Sequence, residues 1–322
     1  MRQRGRSDAC GNRVPDKKRC KDYDAGADKT DARRRVHISN GEETERLNII
    51  KEWRTFKAIF IRNIKLFTAY KAWVIATVIW PIPLLAMNIL QWGLFGPLEE
   101  VSETLEQSGF PPLAGTIIVG TIVYLLYNRL LWGTGVSIQS ERWMGTIEVL
   151  FVTPANKMTI LLASGMSSLV EASWWIVCIF GISWMLFGVQ PSIASWPTVL
   201  LCLVSTMVAL LAVGVFFGGF FILTRAADQL ASGLQAPIRF FSGVAFPVDV
   251  LPQTLQLVSF VIPVTYGILT LRDSILSGGD ISAVWLNIVA LYAMAAVFLI
   301  LAHFTIRAVE RRAKKKGTLY MF

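Results

Sequence analysis

From Trp73 onward the chain runs in long apolar stretches separated by short polar connections, whereas residues 1–44 mix Arg, Lys, Asp and Gly with almost no large apolar side chains. Such a segment cannot bury enough surface to offset the entropy of ordering itself, so residues 1–44 are expected to form a disordered, basic and polar cytosolic tail. Between Glu45 and Lys71 the pattern changes. Ile49, Trp53, Phe56, Phe60, Ile64 and Phe67 recur at steps of three and four, while Lys51, Arg54, Lys57, Arg62 and Lys65 fall mostly elsewhere on the helical wheel. That spacing predicts an amphipathic helix over residues 45–71, lying in the headgroup plane with its basic face toward anionic lipid. Six segments then have the apolar length to cross ~30 Å of hydrocarbon: Trp73–Leu90, Leu113–Leu131, Thr159–Phe187, Thr198–Leu223, Leu230–Val248 and Val284–Ile306. The fifth carries Pro237 and Arg239 and is the weakest of the set. After it, Val250–Tyr266 is shorter and broken by Pro252 and Pro263, which predicts a re-entrant or interfacial hairpin surrounded by protein. The expected fold is an all-α membrane protein: an N-terminal amphipathic interfacial helix, six transmembrane helices within residues 72–306, a re-entrant hairpin before the last span, and a basic cytosolic tail over residues 307–322.

The connections orient this arrangement. Gln91–Pro112 carries Glu99, Glu100, Glu103 and Glu106 without a single Lys or Arg, and Gly188–Pro197 carries no charge. Both belong outside. Arg54, Lys57, Arg62, Lys65 and Lys71 before the first span, Arg129, Arg142 and Lys157 around the second-to-third connection, Arg225 after the fourth span and the Arg/Lys cluster after the sixth belong inside; only Arg272 falls on the outer side. The positive-inside rule then places both termini in the cytosol, in a multi-pass protein of the cell (plasma or inner) membrane.

Composition agrees with lipid as the solvent. Of the 322 residues 54% are hydrophobic and 16% charged, against about 45–50% and about 25% in an average soluble domain. A soluble enzyme is excluded. The net charge of +9 resides entirely in residues 1–71, which hold 19 Lys+Arg and 10 Asp+Glu. The excess therefore marks a cytosolic, membrane-facing end and no nucleic-acid surface. Residues 1–40 contain no apolar core of the kind a secretory signal needs. Cys10 and Cys20 form no CxxC pair, and Cys178 and Cys202 sit inside apolar runs as small hydrophobes, so no metal site is expected.

No GxxxxGK[ST] loop occurs, nor HExxH, GxSxG or a Cys–His arrangement. The chain itself is expected to bind no cofactor and to catalyse nothing; if ATP drives it, a partner binds that ATP with its Mg²⁺. The most informative polar stretch is Gln139–Pro154, where Trp143, Ile147, Leu150 and Phe151 share one side beside Glu141, Arg142 and Glu148, and Pro154 ends the element. It reads as a short amphipathic helix on the inner surface, either docking a cytosolic protein or simply resting at the interface. Within the spans, Glu171 and Arg239 are functional candidates, because an ionisable group in hydrocarbon must be paired, wet or snorkelling. Either they pair across the bundle, or each reaches an interface. Most tryptophans fall near span ends as an aromatic belt; Trp174 and Trp175 do not, and are candidates to line a route for apolar cargo. Gly214 and Gly218 form a GxxxG step that permits close helix approach.

The run Glu141-Arg142-Trp143-Met144-Gly145-Thr146-Ile147-Glu148-Val149-Leu150-Phe151-Val152-Thr153-Pro154 resembles the "E…GT(L/I)E.L…TP" signature of the ABC type-2 permeases, the membrane subunits of ATP-binding-cassette exporters. Ser242-Gly243-Val244-Ala245-Phe246-Pro247, Leu251-Pro252, Ile262-Pro263-Val264-Thr265-Tyr266 and Leu271-Arg272 resemble a second block of that family. The likeness covers residues 45–316. It implies a homodimer of permeases, or a heterodimer, seated on two cytosolic ATPase subunits, with substrate passing between the permease copies. It assigns ATPase coupling to Glu141, Arg142, Gly145, Thr146, Glu148, Thr153 and Pro154, and an outer gate to the block with Phe246, Pro247, Pro263 and Tyr266. The cargo expected from the apolar spans and short outer loops is a lipophilic, drug- or lipid-like molecule, with a glycan or lipid-linked polymer as the alternative within the same machinery. An ATP-independent channel or secondary transporter is the alternative of another class, disfavoured by the lack of an internal repeat and the scarcity of carboxylates in the spans.

Overall fold

The computed structural model describes residues 49–94, 96–97, 100, 102–103, 107, 113–145, 153, 155–187, 196–222, 224, 226–244, 247–276 and 278–316. Two units divide the chain, Met1–Arg54 and Thr55–Phe322. Of the first, residues 49–54 are described and are helical. The expected tail over residues 1–44 lies outside the described residues.

The second unit opens with a helix over residues 55–69 (α1). There follow α2 (Lys71–Ile79), α3 (Pro81–Gly93), α4 (Leu113–Leu130), a π-helical turn (Leu131–Gly135), α5 (Ser137–Trp143), α6 (Lys157–Phe187), α7 (Trp196–Phe221), α8 (Ala227–Phe241), a 3₁₀ turn (Val248–Val250), α9 (Gln253–Ser259), α10 (Pro263–Ile275) and α11 (Ile281–Lys316). No strand occurs among the described residues. Five helical stretches are long and apolar enough to cross a membrane: Lys71–Gly93, Ala114–Trp143, Lys157–Ser183, Trp196–Phe221 and Ile281–Val309. Apart from the second, which runs on to Trp143, their ends fall close to those predicted from the apolar runs.

Three local features depart from the prediction. The first span is α2 and α3 in succession, broken at Trp80 where Pro81 starts the second helix; a proline ring has no N–H to give and clashes with the preceding turn. The second span continues through the π-turn into α5, so Arg129, expected at a cytosolic loop, lies within the helical run. The predicted fifth span, Leu230–Val248, is the 15-residue helix α8, about 22 Å long at 1.5 Å per residue and shorter than the hydrocarbon. It ends because Gly243 takes φ +78°, the left-handed conformation that terminates helices. The pair α9 and α10, bent by 94°, together has the length and apolarity of a further span. At the bend Pro263 starts α10, Ile262 N–H donates to Ser259 O at 3.1 Å, and the Thr265 hydroxyl donates to the same oxygen at 2.7 Å. The broken backbone is thus satisfied internally, as a low-dielectric setting demands.

α4 is the central helix. Ile117, Val123, Leu126, Tyr127 and Leu130 are all 1% exposed or less, and α6, α7 and α10 surround it. α10 is buried along most of its length, whereas α2, α3 and α11 present large apolar side chains outward, among them Trp73, Ile79, Leu90, Trp285 and Phe304. At the end of α4 that begins with Leu113, buried Arg272 donates to the carbonyls of Gly243 at 2.7 Å and Thr116 at 3.1 Å, tying α10 to α4 and to the chain leaving α8.

That junction has no spare room. A Cβ on Gly120 would strike the carbonyl of Val244, backbone that cannot rotate away, while one on Gly181 meets nothing within 4 Å. Gly120→Ala is therefore expected to lose about 1–3 kcal/mol of stability through overpacking, read as a lowered melting temperature in detergent, and Gly181→Ala to be neutral or slightly stabilising.

Candidate functional site

At the other end of α4 the helices part around a cavity of about 1140 Å³. α1 and α2 form one wall, the end of α4 with the π-turn and α5 the second, and the first half of α6 the third, with Asp228 of α8 at the border. The lining is mostly apolar and aromatic, from Phe67, Tyr70, Trp73, Trp80, Trp132 and Trp175.

The cavity also holds both ion pairs seen among the described residues. Arg129 of α4 pairs with Glu171 of α6, their side chains 19% and 7% exposed. Arg62 of α1 pairs with Glu141 of α5 at 2.6 Å, and Asn63 donates to the Ser167 hydroxyl at 3.0 Å. α1 is thereby pinned to both walls it faces. Because Arg62 is half exposed, its pair is worth at most about 1 kcal/mol in water and serves as a movable tie. The Arg129–Glu171 pair is of the other kind: removing one partner leaves a buried charge uncompensated, at a cost of about 3–5 kcal/mol.

Glu171 and Arg239 do not meet. Glu171 is held by Arg129, and Arg239 donates to Asn88 of α3 and lies over the Tyr124 ring at 5.9 Å. Asn88, 1% exposed, in turn donates to the Thr121 hydroxyl at 3.0 Å. A polar relay thus crosses α8, α3 and α4 inside the bundle. Asn88 and Thr121 escaped the reading of the sequence because single amides and hydroxyls in apolar runs carry no periodic signal. Arg129 and Arg62 were counted as inner-surface charge, when the geometry makes each the partner of a carboxylate.

The other predicted residues separate into groups. Trp175 faces the cavity, whereas Trp174 is exposed on another face of α6. Pro247 is buried ahead of the 3₁₀ turn, Pro263 is buried at the start of α10, and Tyr266 stacks obliquely on Phe260 with ring centres 6.2 Å apart. Glu141 lies in the Arg62 pair, and Arg142 donates to Gln139 Oε1 at 2.8 Å and to the carbonyl of Thr224 at 2.9 Å, joining α5 to the connection after α7. Gly145 takes φ +71° and closes the helical run through its N–H to Arg142 O at 3.1 Å. Thr153 accepts from the Lys157 ammonium at 3.2 Å. Thr146, Glu148, Pro154 and Phe246 lie outside the described residues.

If the buried pair holds α4 to α6, Arg129→Glu and Glu171→Arg should each cost stability on the scale just given, and the double exchange should recover a large part of it. Melting curves of the three variants in one detergent test this. A double variant as unstable as either single one removes the pair as a structural tie.

Residues 54–276 match the model of the ABC-2 type transporter family. The "Inner membrane transport permease YhhJ" of Escherichia coli (strain K12) and that of Shigella flexneri are each 27% identical over 195 residues, 58% of this chain and 48% of the relative. The chain spans about half the length of these curated relatives. With most of its length matched, from α1 through α10, the chain belongs to the ABC-2 type transporter family.

Proposed function

We propose that this chain is the membrane subunit of an ATP-binding-cassette exporter that moves a lipophilic small molecule out of the cytosol or the inner leaflet. Energy comes from Mg-ATP hydrolysed on a separate cytosolic ATPase, two copies of which serve a pair of permeases, in the simplest case a homodimer embedded in the inner membrane with its termini in the cytosol. Family membership supports the machinery, and the apolar, aromatic cavity supports the cargo class. The observation that carries the coupling role is the run from α4 through the π-turn into α5: the most buried helix of the fold continues into a segment whose tip, Trp143 and Met144, is 69% and 65% exposed. A push on that tip acts on a helix in contact with nearly every other element of the core. The Gly145 turn beyond it leads into the segment with Thr146 and Glu148, where the ATPase docks in this reading. On the opposite face, Pro247, Pro263, Tyr266 and the bent α9–α10 pair serve as the gate.

Gly145→Val forces a β-branched residue into left-handed backbone, at a cost of about 1–2 kcal/mol, without meeting any atom within 4 Å. It should leave membrane insertion intact yet weaken recovery of the ATPase by pull-down, and Glu148→Lys should do the same by reversing charge. Recovery equal to wild type in both variants removes the coupling role from this segment.

A further inference from the structure

Among the described residues the cavity's charges do not cancel. Arg62 and Arg129 face Glu141, Glu171 and Asp228, and the first four close into two ion pairs. Asp228, half-buried in the first turn of α8, is left over: no ion pair reaches it among the described residues, and one of its oxygens, Oδ1, is enclosed without a hydrogen-bond donor. A carboxylate with one oxygen enclosed and no ion-pair partner is stabilised by a positive charge brought alongside it. The walls favour the same sign. Tyr70, Trp73, Trp80, Trp132 and Trp175 line the space, and the negative faces of aromatic rings attract cations most strongly where water is scarce. At about 1140 Å³, the volume is slightly above the ~300–1,000 Å³ common for drug-sized ligands, so one such ligand fits.

We infer that this cavity is a binding site for a hydrophobic monocation, an apolar or aromatic body carrying one quaternary or protonated amine-like charge, with Asp228 as its counter-ion and the tryptophans as its sides. The inference deepens the cargo class proposed above and rests on that reading for its biological use, while the binding itself needs neither ATP nor the ATPase. An inorganic cation does not fit the mostly apolar lining, and a lipophilic anion would add to the surplus negative charge.

Tetraphenylphosphonium and tetraphenylborate, matched in shape and opposite in charge, separate shape from charge. On purified full-length protein in nanodiscs of neutral lipid, equilibrium binding read by tryptophan quenching is expected to saturate for the phosphonium, with affinity about tenfold or more above that for the borate. Asp228→Asn should remove most of that preference, and Asp228→Glu should keep it, each variant being checked for wild-type elution and melting. Trp175→Leu should weaken the phosphonium while leaving its residual preference over the borate. Equal binding of the two ions, or a preference unchanged in Asp228→Asn, overturns the site. Because the assay omits the ATPase, loss of ATPase pull-down alongside intact phosphonium binding sinks only the exporter reading, and the converse sinks only the cation site.

Discussion

Where α4 widens into the π-turn at Leu131–Gly135, Thr134 enters a seat made of three glycines. A Cβ on Gly165 of α6 would come within 2.9 Å of the Thr134 hydroxyl oxygen, and one on Gly218 of α7 within 3.0 Å of the Thr134 carbonyl. On Gly214 of α7 it would lie 3.3 Å from the Thr134 Cβ. Between helices already dissolved in hydrocarbon there is little hydrophobic drive to associate, so contact rests on backbones approaching closely enough for dispersion and polar interactions to act. The glycine seat supplies that approach, and it fixes α4 against α6 and α7 at one level. The Arg129–Glu171 pair, just before the π-turn on α4, inherits its geometry from this contact. Beside this contact α1 and α2 stand off from α4 and α6, and the cavity is the space between.

The arginines described inside the bundle follow one rule: each is met by something, but by partners of different strength. Arg272 donates to two carbonyl oxygens with Asp273 and Asp249 close enough to act on its charge, Arg239 is held by an amide and an aromatic face, and Arg129 by a carboxylate. Carbonyls and amides keep a guanidinium solvated without neutralising it, so these sites fix helices without closing the charge account of the bundle. Carboxylates do neutralise. In the cavity Glu141 and Glu171 do so for Arg62 and Arg129.

How much of this was legible in the residues depends on the range of the interaction. Apolar runs are a local property, so the first, third, fourth and last spans stand nearly where the pattern puts them. The break at Pro81 and the short α8 were also written locally, in Pro81 and in Ser242-Gly243, yet hydropathy averages over such single residues. Partner choice is not local. Glu171 lies 42 residues from Arg129 and Arg62 lies 79 from Glu141, and nothing along the chain distinguishes these pairings from Glu171 with Arg239. Gly214 and Gly218 were visible as a GxxxG step, but that they receive the π-turn of α4 and not a twin helix emerges only in three dimensions.

The same connectivity bears on how an inner-face contact would reach the cavity. α5 is continuous with α4 through the π-turn, and a π-turn carries one residue more than the regular α-helical register, so it can be absorbed or shifted at less cost than breaking a straight helix. Displacing α5 therefore has two outlets. One is through Arg62–Glu141, a half-exposed tie whose loosening would release α1 from α5 at the cavity wall. The other is through the glycine seat, which cannot compress, and so would rotate α4 as a body and carry Arg129 against Glu171. Under the proposed role the weak tie yields first and the buried pair last, so the wall formed by α1 loosens ahead of any change in the cavity's charge.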